Sequence, residues 1–164
     1  MENGATAKNI MIKKKRNEGE YLEQVKFFDW VRINRQYARN KQIREAIELC
    51  YSVPNGAAMP KQKNVKTGKW YSIVAKKMVK SGMESGIPDI NLDYSVVNGH
   101  TSSDIYAGLR IEMKYGKNTL SVNQKAKRIL FEKAGYKYAV CYSAKEAINA
   151  IIEYLPFKRN DYQV

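Results

Sequence analysis

The segment from Leu109 to Tyr115 constrains the fold of this chain most, because apolar and charged residues alternate along it. Leucine, isoleucine and methionine at one set of positions are interleaved with arginine, glutamate and lysine at the other. A period of two is typical of a strand, whose neighbouring side chains point to opposite sides of a sheet. The charged side carries the only Glu-x-Lys motif in the sequence, Glu112-Met113-Lys114.

Helical and strand patterns follow one another along the rest of the chain. Ser121 and Gln124 form an S-x-x-Q capping box, a combination that predicts the start of a helix. Turn residues at 54–56 and 98–104 separate neighbouring elements. The predicted helices cover residues 18–36, 71–81, 121–134 and 144–155, and the predicted strands cover 47–53, 89–94, 109–115 and 136–142. This order predicts an α/β fold with one small mixed central β-sheet flanked by helices.

The length of 164 residues fits one domain with short extensions. We expect a flexible basic arm over residues 1–18, which holds Lys13-Lys14-Lys15-Arg16, and a C-terminal tail over 156–164. No apolar run is long enough for a membrane span or a secretory signal. We therefore expect a cytoplasmic protein with no membrane partner.

The charge of the chain favours nucleic acid as the partner. Lys and Arg total 29 against 16 Asp and Glu, a net charge of +13 that would attract a polyanion. Anionic membranes are the alternative partner, but no basic amphipathic helix stands out. One histidine and two distant cysteines cannot supply the ligands of a zinc site or an HNH-type nuclease. No phosphate-binding loop motif is present, so no nucleotide cofactor is expected.

Two carboxylates and a lysine are expected to meet on the sheet. Glu112 and Lys114 are two residues apart in a strand and project to the same side. Asp89 can reach that patch if its strand pairs with the strand from Leu109. Carboxylate oxygens with room for water suit Mg²⁺, with Mn²⁺ as a substitute. The alternative is a solvent-facing strand edge with ordinary surface residues.

Several motifs, in order, resemble those of the VRR-NUC family, a branch of the PD-(D/E)XK nuclease superfamily. A G-x-x-x-G-x-P-D stretch (Gly82 to Asp89) precedes the E-x-K strand and the S-x-x-Q helix. Pro54-Asn55-Gly56 is similar to the family's P-N-G turn, and Glu20 with Gln24 fits its first helix. The resemblance covers residues 19–155 and implies a nuclease domain with a restriction-endonuclease-like αβββαβ core.

The resemblance also implies roles for individual residues. Asp89 and Glu112 would bind the metal, and the backbone carbonyl of Met113 would add an oxygen. Lys114 would be the catalytic lysine. Glu20 would be an acidic metal-site residue on the first helix.

Two of the implied roles leave alternatives open. Glu23 is the alternative to Glu20 as the carboxylate of the first helix. Gln124 would be a polar residue at the edge of the site, or no more than the capping partner of Ser121. Residues 57–72 are longer and more basic than the family needs. They would form either a DNA-contacting loop or a disordered insertion.

The function implied is a Mg²⁺-dependent DNA endonuclease. Stand-alone members of the family are typically phage-encoded or bacterial, and the family is linked to branched-DNA processing and repair. We therefore expect a homodimer that cuts branched DNA such as four-way junctions, since one chain holds one site. The alternatives are a non-catalytic nucleic-acid binder with the same fold and a sequence-specific restriction enzyme.

Overall fold

The computed structural model describes residues 3–53, 61–97 and 105–163, with side chains from Glu18 onward. The helices are α1 (Asn3–Tyr37), α2 (Lys41–Glu48), α3 (Ile73–Lys80), α4 (Val122–Lys133) and α5 (Ala144–Tyr154). The strands are β1 (Cys50–Ser52), β2 (Gln62–Lys63), β3 (Trp70–Tyr71), β4 (Ile90–Leu92), β5 (Val96–Val97), β6 (Ile105–Tyr106), β7 (Gly108–Met113) and β8 (Tyr136–Cys141). The predicted turns at 54–56 and 98–104, the second of which contains the single histidine, His100, lie outside the described residues.

The central sheet has four strands in the order β1-β4-β7-β8. β4 pairs antiparallel with both β1 and β7, and Ile90 lies opposite Ile111. β7 pairs in parallel with β8, and α4 makes the crossover that a parallel pair requires. The predicted α/β fold with a mixed sheet is confirmed, as is the predicted pairing of the strand after Asp89 with the strand from Leu109.

One face of β7 forms the centre of the hydrophobic core. Leu109, Ile111 and Met113 have no exposed surface. They belong to one apolar cluster with buried residues of α1 and α5, including Phe27 and Ile151. The apolar half of the alternating pattern therefore packs as predicted.

The charged face of β7 is buried as well, so the alternative of a solvent-facing strand edge is wrong. β7 lies between β4 and β8, and α4 packs against β8 beside it. Arg110 forms an ion pair of 2.7 Å with Asp93, and its guanidinium lies 4.0 Å from the ring centroid of Tyr136. Charged side chains tolerate this position because each has a partner.

The N-terminal part of the fold differs from the prediction in two places. α1 begins at Asn3, inside the segment expected to be a flexible arm, because few residues between 5 and 18 oppose a helix. Residues 47 and 48, predicted to begin a strand, end α2. That helix was missed, although Asn40 caps it by accepting a hydrogen bond from Gln42 N at 2.8 Å.

The basic stretch also has more structure than expected. Of the predicted loop over residues 57–72, positions 57–60 lie outside the described part of the chain. Gln62 and Lys63 pair antiparallel with Trp70 and Tyr71, forming a short hairpin. Its residues are nearly all exposed, as the composition predicted.

Within the described ranges, none of the helices combines the length and the hydropathy needed to span a bilayer.

Replacing Arg110 with Ala should lower the free energy of unfolding by about 2 kcal/mol. The change leaves a gap between aromatic rings and removes the partner of Asp93. Arg32→Ala is the matched control, because Arg32 pairs with Asp29 at the surface and such pairs contribute about 0.5 kcal/mol. Urea unfolding measures both. Equal, small losses in the two variants would contradict the burial of both faces of β7.

Candidate active site

Five residues singled out from the sequence line one cavity of about 590 Å³. Glu20 comes from α1, and Asp89 immediately precedes β4. Glu112 lies in β7, Lys114 follows that strand, and Gln124 lies in the first turn of α4. The structure therefore brings Glu20, Asp89, Glu112, Lys114 and Gln124 together from four elements that are distant in sequence.

Glu112 is at the centre of this arrangement, with 1% of its surface exposed. One oxygen, Oε1, accepts hydrogen bonds from Lys114 Nζ and from Gln124 Nε2. The other oxygen, Oε2, is buried and has no hydrogen-bond partner among the described residues. A buried carboxylate oxygen without a donor is costly, so this atom is suited to accept a ligand.

Asp89, immediately before β4, is held in place by a hydrogen bond from the neighbouring strand β7. Its Oδ2 accepts a hydrogen bond of 2.8 Å from the backbone N of Met113. The carbonyl of Met113 accepts a bond of 3.1 Å from Lys114 Nζ. The lysine thus connects Glu112 to the backbone oxygen that was predicted as a metal ligand.

Burial and the nearby charge of Asp89 raise the pKa of Glu112 and of Glu20, so these two acids are reluctant to ionise. Burial raises the pKa of Glu112 well above its usual range, the charge of Asp89 raises it further, and Lys114 opposes both. Burial also raises the pKa of Glu20, with Lys114 lowering it and Asp89 raising it. The cavity therefore holds more acidic groups than its one lysine neutralises, and a cation would relieve the excess.

Gln124 has both of the roles that the sequence left open. Its Oε1 accepts a hydrogen bond of 2.8 Å from Ser121 N, and Ser121 Oγ accepts one from Gln124 N, which completes the capping box. Its Nε2 donates to Glu112. The cap that starts α4 also fixes the amide that orients the carboxylate.

The loop before Asp89 sets the position of α4. Gly86 has a φ of +84°, and a Cβ there would stand 2.7 Å from the backbone of Asn123. Only glycine allows this close approach. Asn123 Nδ2 also donates a bond of 2.7 Å to Ser85 Oγ. The second glycine of the G-x-x-x-G-x-P-D stretch is therefore needed where the loop touches the first turn of α4.

Other residues of the cavity wall were not indicated by the sequence patterns. Glu84 and Ser85 line it, and Glu84 forms an ion pair with Lys127 of α4. Val79 and Met83 supply apolar parts of the wall. For Met83, Glu84 and Ser85, the available signal was their position between the two motif glycines, because the loop that carries Asp89 must also approach the site.

Glu23, the alternative to Glu20, has a different position. Its Oε2 accepts a hydrogen bond of 2.8 Å from the backbone N of Ala144, the first residue of α5. Its other oxygen pairs with Lys26 at 2.6 Å. These bonds lower the pKa of Glu23, the Lys26 bond most. Glu23 therefore stabilises a helix start and does not line the cavity.

The residues present fit a magnesium ion. Mg²⁺ commonly uses one or two carboxylates and keeps several waters, and Asp89 with Glu112 offers such oxygen ligands around the unbonded Oε2. No group of three His, Cys, Asp or Glu side chains among the described residues is placed to hold a metal. Glu20 lines the cavity without completing such a group, so its role as a ligand stays a prediction.

Comparison with known proteins shows what this fold is similar to. A solved structure described as a VRR_NUC domain protein resembles the chain with a TM-score of 0.56 and 22% sequence identity. The match covers 82% of this chain and 86% of that one. The two proteins share a fold. No family model matches the sequence, and no curated protein matches it.

The contrasting positions of Glu20 and Glu23 generate a paired prediction. Glu23→Gln should lower Tm by about 2–4 °C, since the loss of a charged helix cap is worth about 1 kcal/mol, and should leave metal binding unchanged. Glu20→Gln should keep or raise Tm, because it removes one acid from the cavity, and should weaken Mn²⁺ binding. Thermal melts and Mn²⁺ titration calorimetry measure both. If Glu23→Gln weakened Mn²⁺ binding and Glu20→Gln lowered only Tm, the functional carboxylate would be Glu23.

Proposed function

We propose that this protein is a metal-dependent endonuclease of the VRR-NUC type that hydrolyses DNA phosphodiester bonds. The observation that carries the proposal is the meeting of Asp89, Glu112 and Lys114 in one cavity, with Glu20 and Gln124 at its wall. Carboxylates with an adjacent lysine can hold a divalent cation and counter charge on a phosphate. The shared fold supports the assignment.

Asp89 and Glu112 would hold Mg²⁺, with the carbonyl of Met113 as a further oxygen. When bound, the ion would polarise the scissile phosphate and lower the pKa of the attacking water. Hydrogen bonds within the protein already hold both carboxylates in place. Met113 N holds Asp89, while Gln124 and Lys114 hold Glu112.

Lys114 has a separate role in the proposed reaction. Its side chain is almost buried and donates to Glu112 Oε1 and to the carbonyl of Met113. From that position its charge would stabilise the negative charge that develops on the phosphate during attack. The same charge offsets part of the repulsion between the acids, as its lowering of the pKa of Glu112 and of Glu20 indicates.

DNA as the substrate is supported by charge. The chain carries a net charge of +13, whereas four of the five charged residues that line the cavity are acidic: Glu20, Glu84, Asp89 and Glu112. A basic surface attracts the phosphate backbone, whereas the acidic cavity would accept a phosphate only together with a cation. This difference between the basic chain and the acidic cavity would account for DNA binding and for a metal requirement.

We also propose that two copies act together on branched DNA. One chain carries one site, and symmetric cutting of two strands needs two sites related by a two-fold axis. α4, whose first turn reaches the cavity, has no buried residues. Its exposed apolar side chains recur at helical spacing: Val122, Ala126, Ile129 and Leu130. A second copy covering this face would place the two sites near each other.

Asp89→Ala and Glu112→Ala should each reduce Mg²⁺-dependent cleavage by at least about a hundredfold, because each removes an oxygen ligand. Lys114→Ala should reduce cleavage by about as much as loss of an oxyanion donor does, roughly 10²–10³-fold, while Mn²⁺ still binds. Cleavage of labelled linear, flapped and four-way DNA, with Mg²⁺ or EDTA, measures the effect.

Exposed residues of the same type provide the controls. Asp29→Ala and Lys117→Ala should cleave at the wild-type rate, since neither lines the cavity. Wild-type rates in the Asp89, Glu112 and Lys114 variants would refute the site. DNA binding without any Mg²⁺-dependent cleavage by the wild-type protein would favour the non-catalytic binder.

A charge placed on the apolar face of α4 should separate the dimer. Ile129→Asp with Leu130→Asp leaves the core intact, because both side chains are about half exposed. In sedimentation, the wild-type protein should be a dimer and the double variant a monomer that makes unpaired nicks in a four-way junction. Lys125→Asp, on the same helix but outside the apolar set, is the control. A wild-type monomer that cuts linear duplex as fast as a junction would contradict this proposal.

A further inference from the structure

We propose that the β2–β3 hairpin, residues 61–71, is a binding site for unpaired DNA bases, with Trp70 as the stacking platform. The inference rests on the proposed function, because it assigns this hairpin to the substrate of the same active site. The hairpin does not line the cavity and would favour single-stranded segments of the substrate.

The hairpin and the helix after it have the chemistry of a phosphate-binding surface. Residues 61–80 contain no aspartate or glutamate. Their lysines are Lys61, Lys63, Lys66, Lys69, Lys76, Lys77 and Lys80. No ion pair involves any of these lysines in the described structure. Such a patch of uncompensated positive charge is complementary to a polyanion.

Trp70 is placed within this charge with its indole exposed. The side chain is 66% exposed, whereas Trp30 is 8% exposed in the core. Lys63 lies directly opposite Trp70 in the hairpin register, so the two side chains occupy the same face. An aromatic ring beside a lysine can stack on a base while the lysine contacts the adjoining phosphate.

The hairpin is held in shape by its own hydrogen bonds. Asn64 N donates to Lys69 O at 2.9 Å, and Asn64 Oδ1 accepts from Lys66 N and Thr67 N, both at 3.0 Å. On the face opposite Trp70, the Lys76 ammonium lies 5.2 Å from the centroid of the Tyr71 ring. One face therefore packs towards α3, and Trp70 is left on the other.

α3 connects the hairpin to the active-site cavity. Ser72, at the base of the hairpin, caps α3 by accepting a bond of 3.2 Å from Ala75 N, and Val79 near the other end lines the cavity. At the helical rise, α3 spans about 12 Å. A strand on the hairpin would thus reach the carboxylates within a few nucleotides.

Unpaired DNA fits this surface better than duplex does. In duplex DNA the faces of the bases are covered by their neighbours, so an exposed indole gains nothing from a continuous double helix. At a flap, gap or branch point, the bases can leave the stack and cover the ring. Stacking does not read base identity, so the preference would be for structure rather than for sequence.

Tryptophan fluorescence tests the proposal directly, because the chain has two tryptophans and only Trp70 is exposed. In EDTA, single-stranded oligo(dT) should quench the wild-type emission strongly, and a duplex of equal length should quench it little. Trp70→Phe, which retains only Trp30, should show no DNA-dependent change. Trp70→Ala should weaken single-strand binding roughly tenfold or more and leave duplex binding within about twofold.

Val65→Ala is the matched control, because Val65 is a fully exposed apolar side chain on the same hairpin that cannot stack. It should bind single strands as the wild type does. Circular dichroism of each variant confirms folding. Absence of quenching, equal single-strand affinity of Trp70→Ala and wild type, or equal losses in Val65→Ala and Trp70→Ala would overturn the proposal.

The use of EDTA separates this proposal from the proposed function. Quenching without cleavage when Mg²⁺ is restored would support the hairpin site and contradict the nuclease activity. Cleavage without quenching would contradict the hairpin site alone.

Discussion

The burial of one carboxylate, Glu112, is the constraint on which the rest of the site depends. A nearly inaccessible acid in the central strand needs donors, and the fold supplies two of them to Oε1 from different directions. Lys114 lies two residues after Glu112, immediately beyond the end of β7. Gln124 comes from α4, whose position depends on the contact between Gly86 and the backbone of Asn123. The crossover helix is thereby tied to the strand it flanks.

The same burial gives the cavity its chemical character. Lys114 and Gln124 satisfy one oxygen of Glu112, Asp89 stands nearby, and the second oxygen has no donor within the described ranges. Because its pKa is raised, Glu112 can keep a proton in such an arrangement, and we propose that a bound cation takes the place of that proton. We therefore interpret the repulsion between Asp89 and Glu112 as a functional property of the site. The fold holds the acids together, and the proposed ion would be bound because it relieves them.

Residue patterns predicted the elements whose stability is local or depends on one face of a strand or helix. The capping box of α4, the alternation in β7 and the fold class were all predictable. The resemblance to VRR-NUC proteins supplied Glu20, which no spacing rule connects to Asp89. Residue patterns did not predict features that depend on tertiary contacts. Burial of Arg110 depends on Asp93, Phe131 and Tyr136, and the choice between Glu20 and Glu23 depends on where α5 begins.

Thermal unfolding of Asp89→Asn tests most directly the claim that these acids form a strained cation site. Asparagine keeps an oxygen for Met113 N but removes one charge beside Glu112. In EDTA, the variant should melt about 2–4 °C above the wild type, which corresponds to roughly 1 kcal/mol of relieved repulsion. Mg²⁺ should raise the Tm of the wild type and leave that of the variant unchanged. A variant that melts lower in EDTA, together with a wild-type Tm that does not respond to Mg²⁺, would contradict the account.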